Sequence, residues 1–301
     1  MSNGSTFPPP RRLRRTLLIA LAAVVALGAA GWLVWRAPGG GPSRTGTSAA
    51  GSPAPDPKGD TGVPSTGAPS VRPGNPHGSL KGRTVLLDPG HNPTNHDHTR
   101  QIARLVDIGN DRKECDTTGT STDDGYAEAS FSLDVARRAR TLLQAEGAKV
   151  VLTQDGDRPY GPCVDERAAI GNSAHADAAV SVHADGSDVG HRGFHVILPD
   201  RVRAGAADTS AIVGPSRDLG ERLAGRFVAA TGSAPSNYVG HGTGLDVRSD
   251  LGGLNLSTVP KVFIECGNMR DPKDAAELTD AQWRQKAARG ITEGITDFLT
   301  R

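Results

Sequence analysis

Thr84-Val85-Leu86-Leu87-Asp88-Pro89-Gly90-His91 is an apolar run of strand length, closed by a turn signal and followed at once by a histidine. Three other stretches end on a residue that can bind or serve a metal: Tyr126-Ala127-Glu128, Val180-Ser181-Val182-His183-Ala184-Asp185 and Val262-Phe263-Ile264-Glu265. Three of the four sit where an apolar strand would finish. In open α/β sheets, ligands and active sites collect at the carboxyl ends of the strands. Two histidines and a carboxylate are a three-ligand set for a catalytic zinc with its fourth position open to water. The remaining carboxylate would then serve as general base on that water.

Outward from these stretches, strand and helix patterns alternate. Strands are expected at Thr84–Asp88, Lys149–Thr153, Ala178–His183, Phe194–Leu198 and Val262–Cys266. Helices are expected at Ala127–Ala145, stopped by Gly147, and at Val164–Ala176, Ser216–Ala230 and Ala281–Leu299. The last carries Trp283, Ala287, Ile291, Ile295 and Phe298 as an apolar stripe. This order predicts an α/β fold, a mainly parallel twisted sheet with helices on both faces. The stretch from His91 to Gly125 is polar and without periodicity, the mark of a functional or disordered loop.

Taken singly, each candidate has a plainer explanation. Asp-Pro-Gly makes a turn after any strand. Glu128 suits the first turn of a helix through the helix dipole. A strand histidine such as His183 is commonly a hydrogen-bonded core residue. Glu265 is the exception, because a carboxylate after Val-Phe-Ile is costly to bury unless paired, hydrogen-bonded or metal-linked. His96, His98, His195 and His241 also come within range of such a site and are set aside as solvated loop histidines.

In order and spacing, Asp88-Pro89-Gly90-His91, the Glu128 helix start, Ser181-Val182-His183-Ala184-Asp185 and Glu265-Cys266-Gly267-Asn268-Met269 resemble the zinc-dependent N-acetylmuramoyl-L-alanine amidases of the Amidase_3 type. The stretches Gly119-Thr120-Ser121-Thr122, Gly161-Pro162-Cys163-Val164-Asp165-Glu166-Arg167 and Arg248-Ser249-Asp250-Leu251 are most similar to the actinobacterial, especially mycobacterial, branch. The resemblance spans residues 82–301. It implies Zn2+ held by His91, Glu128 and His183, with Glu265 as the catalytic carboxylate. The implied reaction is hydrolysis of the amide joining N-acetylmuramic acid to L-alanine of the peptidoglycan stem peptide, in polymer or in muropeptide fragments. Two other readings stand beside it: a zinc peptidase cutting within the stem peptide, and a non-catalytic cell-wall-binding or regulatory protein. Cys266 departs from many relatives. It faces away from Glu265 along the strand and is expected to pack in the core.

The remainder of the chain concerns location. Residues 1–15 carry Arg11, Arg12, Arg14 and Arg15 and read as a basic cytoplasmic tail. Residues 16–35 are uncharged, and twenty residues at ~1.5 Å each span roughly the 30 Å of a bilayer core. They read as a transmembrane signal anchor, with a signal peptide cleaved near Gly28-Ala29-Ala30-Gly31 as the alternative. Either way the catalytic domain is expected outside the cell membrane, anchored or secreted. Residues 36–81 are rich in Gly, Pro, Ser and Thr and read as a disordered linker ahead of a single catalytic domain at 82–301. A net charge of +1, with no basic stripe interleaved with aromatics, gives nucleic-acid binding no support. Of three cysteines, Cys115 and Cys163 lie in loop-like sequence and form the favoured disulfide, leaving Cys266 buried. The other pairings stay open at this level.

Overall fold

β1 (Thr84–Pro89) lies between two parallel neighbours, β2 (Lys149–Leu152) and β3 (Ala178–Asp185). In the computed structural model, which describes residues 80–301, these strands belong to a six-stranded sheet. Its remaining strands are β4 (His195–Pro199), β5 (Leu245–Arg248) and β6 (Lys261–Asn268), in the order β2-β1-β3-β6-β4-β5. β6 pairs in parallel with β3, whereas β4 runs antiparallel to β6 and parallel to β5. The sheet is therefore mixed and mostly parallel. Only a short loop with no helix joins β3 to β4. A parallel return needs a crossover of a dozen or more residues, so β4 comes back in the opposite direction.

Among the described residues, five helices of two turns or more flank the sheet: α1 (Glu128–Ala145), α2 (Val164–Ser173), α3 (Val213–Thr231), α4 (Pro272–Thr279) and α5 (Ala281–Leu299). Side chains alternate along each strand, so the two faces meet different layers. Val85, Leu87, Val180, Val182, Val262 and Ile264 face a large apolar core completed by α1, α3 and α5. Phe131, Leu143, Phe227 and Ile291 are among its fully buried members. The opposite face has only a small apolar cluster, Leu86, Ala176 and Ala179 with Ile170 of α2 against it. Beside it on that face lie the buried Asp88, Ser181 and Lys261.

Local signals account for the helix ends. Asp271 caps α4 by accepting from the backbone N–H of Lys273 and Asp274, with Pro272 at the first position. Asp280 caps α5 through the N–H of Trp283 at 2.7 Å. β5 and α4 escaped the sequence reading. β5 holds only Leu245 and Val247 as alternating apolar residues, and α4 is eight residues long. The polar stretch 91–125 contains a hairpin, Leu105–Asp107 against Arg112–Glu114, and two single helical turns. The Cys115–Cys163 disulfide ties it to the start of α2, and Cys266 is free and buried in the large core.

Packing begins before the expected boundary at Gly82. Leu80 is fully buried, and its N–H donates to the Glu146 carbonyl at 2.9 Å. A single leucine has no periodicity to announce it. Residues 1–79, with the expected tail, membrane span and nearly all of the linker, lie outside the described residues. Among the described residues no helix is long and apolar enough to cross a membrane.

Candidate metal centre

His91, Glu128 and His183 meet at the carboxyl edge of the sheet. His91 follows β1, His183 lies near the end of β3, and Glu128 is the first residue of α1. Glu128 Oε2 is 3.2 Å from His91 Nε2, and its Oε1 is 2.9 Å from His183 Nδ1. The three donor atoms lie within 4.8 Å of one another. Ligands ~2.0–2.1 Å from a tetrahedral zinc stand about 3.3 Å apart, so the spacing fits such an ion.

Close backbone approach makes this convergence possible. A Cβ on Gly90 would stand 2.3 Å from the His183 ring. Gly119, at φ +72°, would place one 2.7 Å from both Glu128 Oε2 and the His91 ring. His91 itself has φ +59°, unusual for a side chain of its size. Its carbonyl is held there by the Gln154 amide and the Arg167 guanidinium, both at 3.1 Å.

Behind His91 runs a buried ionic chain. Lys261 Nζ bonds Asp88 at 2.9 Å, Arg167 bonds Asp88 at 2.8 Å and Asp116 at 2.9 Å, and Asp116 reaches His91 Nδ1 at 3.2 Å. Ser181 and Thr153 hydroxyls also donate to Asp88. A carboxylate on the far nitrogen fixes a ligating histidine's tautomer and ring orientation. Asp116 at 3.2 Å and the Thr117 carbonyl at 3.1 Å share this role for His91, leaving Nε2 turned to the centre. Burial works to raise the Asp88 and Asp116 pKa values, but Lys261 and Arg167 outweigh it for Asp88. Asp88 falls far below the carboxylate range, and Arg167 with His91 brings Asp116 to about 2.

The centre is wired for a cation. Burial disfavours a charged His91, yet the Glu128 and Asp116 carboxylates overcome it and raise its pKa to about 10. The potential that holds a proton there favours a dication in its place, and metal and protons compete for the same nitrogen.

Glu265 lines the same cavity, of about 280 Å³, as His91, Glu128 and His183. It is the register neighbour of His183 on the adjoining strand. Its Oε2 is buried with no hydrogen-bond partner among the described residues. Burial, then the charges of Glu128 and Asp185, push its pKa well above the ordinary value. A dication beside it would act in the opposite direction. The four residues singled out in the sequence thus come together. His195, set aside as a loop histidine, proves to be a buried strand residue opposite Glu265 on β4. The strand expected at Phe194–Leu198 already contained it, and only its burial was missed.

Residues 85–297 match the family model described as N-acetylmuramoyl-L-alanine amidase, Amidase_3. The chain belongs to the Amidase_3 family. Its catalytic-type domain is 40% identical over 223 residues to the N-acetylmuramoyl-L-alanine amidase Rv3717 of Mycobacterium tuberculosis, covering 73% of this chain and 88% of that one. Among solved structures it is similar to the amidase Ami1 of Mycobacterium smegmatis, with 41% identity and a TM-score of 0.68 over 74% of this chain and 99% of the other. The apo form of Ami1 from Mycobacterium abscessus gives 39% identity and a TM-score of 0.66, covering 73% and 99%. In this amidase-family domain the sequence reading had missed Asp116, Arg167 and Lys261 as parts of the centre. An arginine among the small residues of α2 and an aspartate next to a bonded cysteine were the signals available.

Proposed function

We propose that the protein is a cell-wall amidase that hydrolyses the amide between the lactyl group of N-acetylmuramic acid and L-alanine in peptidoglycan. His91, Glu128 and His183 would hold a zinc ion, and Glu265 would move the proton. The observation that carries this is the buried, unpartnered Glu265 oxygen facing the same small cavity as a His-Glu-His donor set. When bound, zinc supplies Lewis acidity, activating water and polarising the scissile carbonyl.

The chain's own residues supply the rest. Glu265 accepts the proton of the attacking water and delivers it to the alanine nitrogen as that amine departs. Burial and the Glu128 and Asp185 charges raise its proton affinity, and a bound dication would lower it, an opposition that suits a group which must both take and give a proton. Asp116 holds the His91 ring through Nδ1, and Arg167 holds Asp116, so the donor set needs little reorganisation. The stacked Phe263 ring, 5.2 Å from the His183 ring and 16° from parallel, restrains the second histidine. The expected span at 16–35 and its basic flank support placement outside the membrane, anchored or secreted, where peptidoglycan lies.

The test pairs zinc analysis with mass spectrometry of digested peptidoglycan. Peptides beginning with free L-alanine beside intact glycan are expected, with one zinc per chain. His91→Ala and His183→Ala should lose both metal and product. Cuts within the stem peptide would instead assign a peptidase, and a metal-free wild type with full activity would remove the zinc.

A further inference from the structure

The centre adjoins two larger hollows of unlike character. A cavity of about 470 Å³ lies beside the Leu105–Glu114 hairpin and shares His91, His183 and Arg248 with the centre. A second cavity of about 490 Å³ shares Gly119 with it. The second hollow is lined by hydroxyl and amide side chains such as Asn92, Thr118, Thr120 and Ser121, and its single ionisable group is His96. Both volumes are in the range that binds small molecules, roughly 300–1,000 Å³.

The hairpin hollow is charged. Lys113 and Arg248 share one carboxylate, Asp250. Arg248 grips it through two bonds of 2.8 Å, and Lys113 reaches it only at 3.4 Å. Arg112 and Glu114, the neighbours of Lys113, cancel each other in charge. Asp88, Asp116 and Arg167, at the cavity's inner end, are paired among themselves and with Lys261. One positive charge therefore remains at the rim, with donor capacity on the Lys113 ammonium. Apolar surface adjoins it: Leu105 is 50% exposed, and Val164, Leu251 and Phe263 complete the wall. The disulfide fixes this geometry, because Cys115 follows the hairpin and Val164 follows Cys163.

The substrate of the amidase reading is asymmetric in the same sense. On one side of the scissile amide is an uncharged sugar with hydroxyl and acetamido groups. On the other is a short peptide whose residues bear carboxylates. We propose that the groove is polarised to match: the stem peptide lies along the hairpin hollow, with the carboxylate of the residue after L-alanine at Lys113 and Arg248, and the sugar lies in the hydroxyl-lined hollow. Lys113 is then a specificity residue for a free carboxylate, acting by charge-assisted hydrogen bonding. This inference rests on the amidase reading.

The experiment compares N-acetylmuramoyl-L-alanyl-D-glutamate with the same compound carrying both carboxylates as amides, on the full zinc-loaded chain. Wild type should favour the acid by about tenfold in kcat/KM, the scale of one hydrogen bond to a charged group, and added salt should shrink that preference. Lys113→Gln should bring the acid down to the amide, mainly through KM. His96→Gln should alter both substrates alike and keep their ratio. Equal cleavage of both substrates by wild type, an equal loss on both in Lys113→Gln, or a ratio that follows His96 would each overturn the polarity while leaving the amidase reading intact. If neither substrate yields a product with free L-alanine, both the amidase reading and this inference fall. Lys113 is half exposed on the hairpin, so a melting curve matching wild type is expected for its variant.

Discussion

The two faces of the sheet do different work. One packs Val85, Leu87, Val180, Val182 and Ile264 against three long helices in a large apolar core. The other buries a lysine, an arginine and two aspartates in a single chain of ion pairs that ends on His91. Residues one position apart on the same strands serve these two ends, as Leu87 and Asp88 or Val182 and His183 show. An apolar core is tolerant of shape and gives stability in proportion to area. A buried ionic chain is a poor source of stability, since desolvation offsets attraction. What it provides here is direction: it fixes where the His91 nitrogen points.

The largest expected effect lies at the edge the ionic face supports. Glu265→Gln should keep its zinc and lose ~10²–10⁴ in turnover, the usual loss when general acid–base help is removed. Glu128→Ala should lose the metal instead, because a ligand oxygen is gone. Zinc content and muropeptide release measured on both would exchange the two roles if the pattern were reversed.

Breaking each face once tests the division directly. Arg167→Met leaves Asp88 and Asp116 without their shared partner, at a cost of about 3–5 kcal/mol. Phe131→Ala in the apolar core should cost about the same, ~3–5 kcal/mol. Denaturant melts should fail to tell them apart. Zinc titration of the folded fractions should: Arg167→Met weakens binding by roughly 10–100-fold, and Phe131→Ala leaves it unchanged. Acid separates them as well. Asp88 and Asp116 are held below their unfolded values, so their contribution is whole above about pH 4. It is lost as pH falls toward about 2, where Asp116 takes up its proton. Wild type should show this acid-dependent loss, and Asp116→Asn should show less of it.

A smaller effect concerns the tie between the hairpin and α2. Cys115→Ser with Cys163→Ser opens a link of 48 residues and should cost about 2–4 kcal/mol, read as a lower melting temperature without loss of zinc. If zinc is lost in step with stability, the disulfide also holds the centre. The smallest is Arg83→Ala. Its ion pair with Asp177 is partly exposed and lies away from both cores, so the change should stay within ~1 kcal/mol.

Much of the site was legible because a strand's end is a local property. Apolar runs closing on His91, His183 and Glu265, and a helix opening on Glu128, mark one edge of a parallel sheet without knowledge of any contact. Cys115 and Cys163 could be paired because both lie in loop-like sequence of a domain expected to be exported, although the fold buries both. The ionic chain was not legible. Asp88 looked like a turn residue and Lys261 like the start of a strand, and nothing local distinguishes a lysine that will be fully buried. β5 was lost for a related reason, since four residues with two apolar positions give too short a period to detect.

Sequence by itself determined the kinds of elements, the α/β order, the family and the four residues at the strand and helix ends, because periodicity, turn chemistry and motif spacing act over a few residues. Only the tertiary structure decided that Asp88 meets Lys261 across 173 positions, that Asp116 reaches His91 through its own bond to Arg167, and that β4 reverses. It alone set the two hollows that adjoin the centre and their unlike charge. Those features depend on which distant groups packing brings together, and a buried charge takes whichever partner the completed fold places within reach.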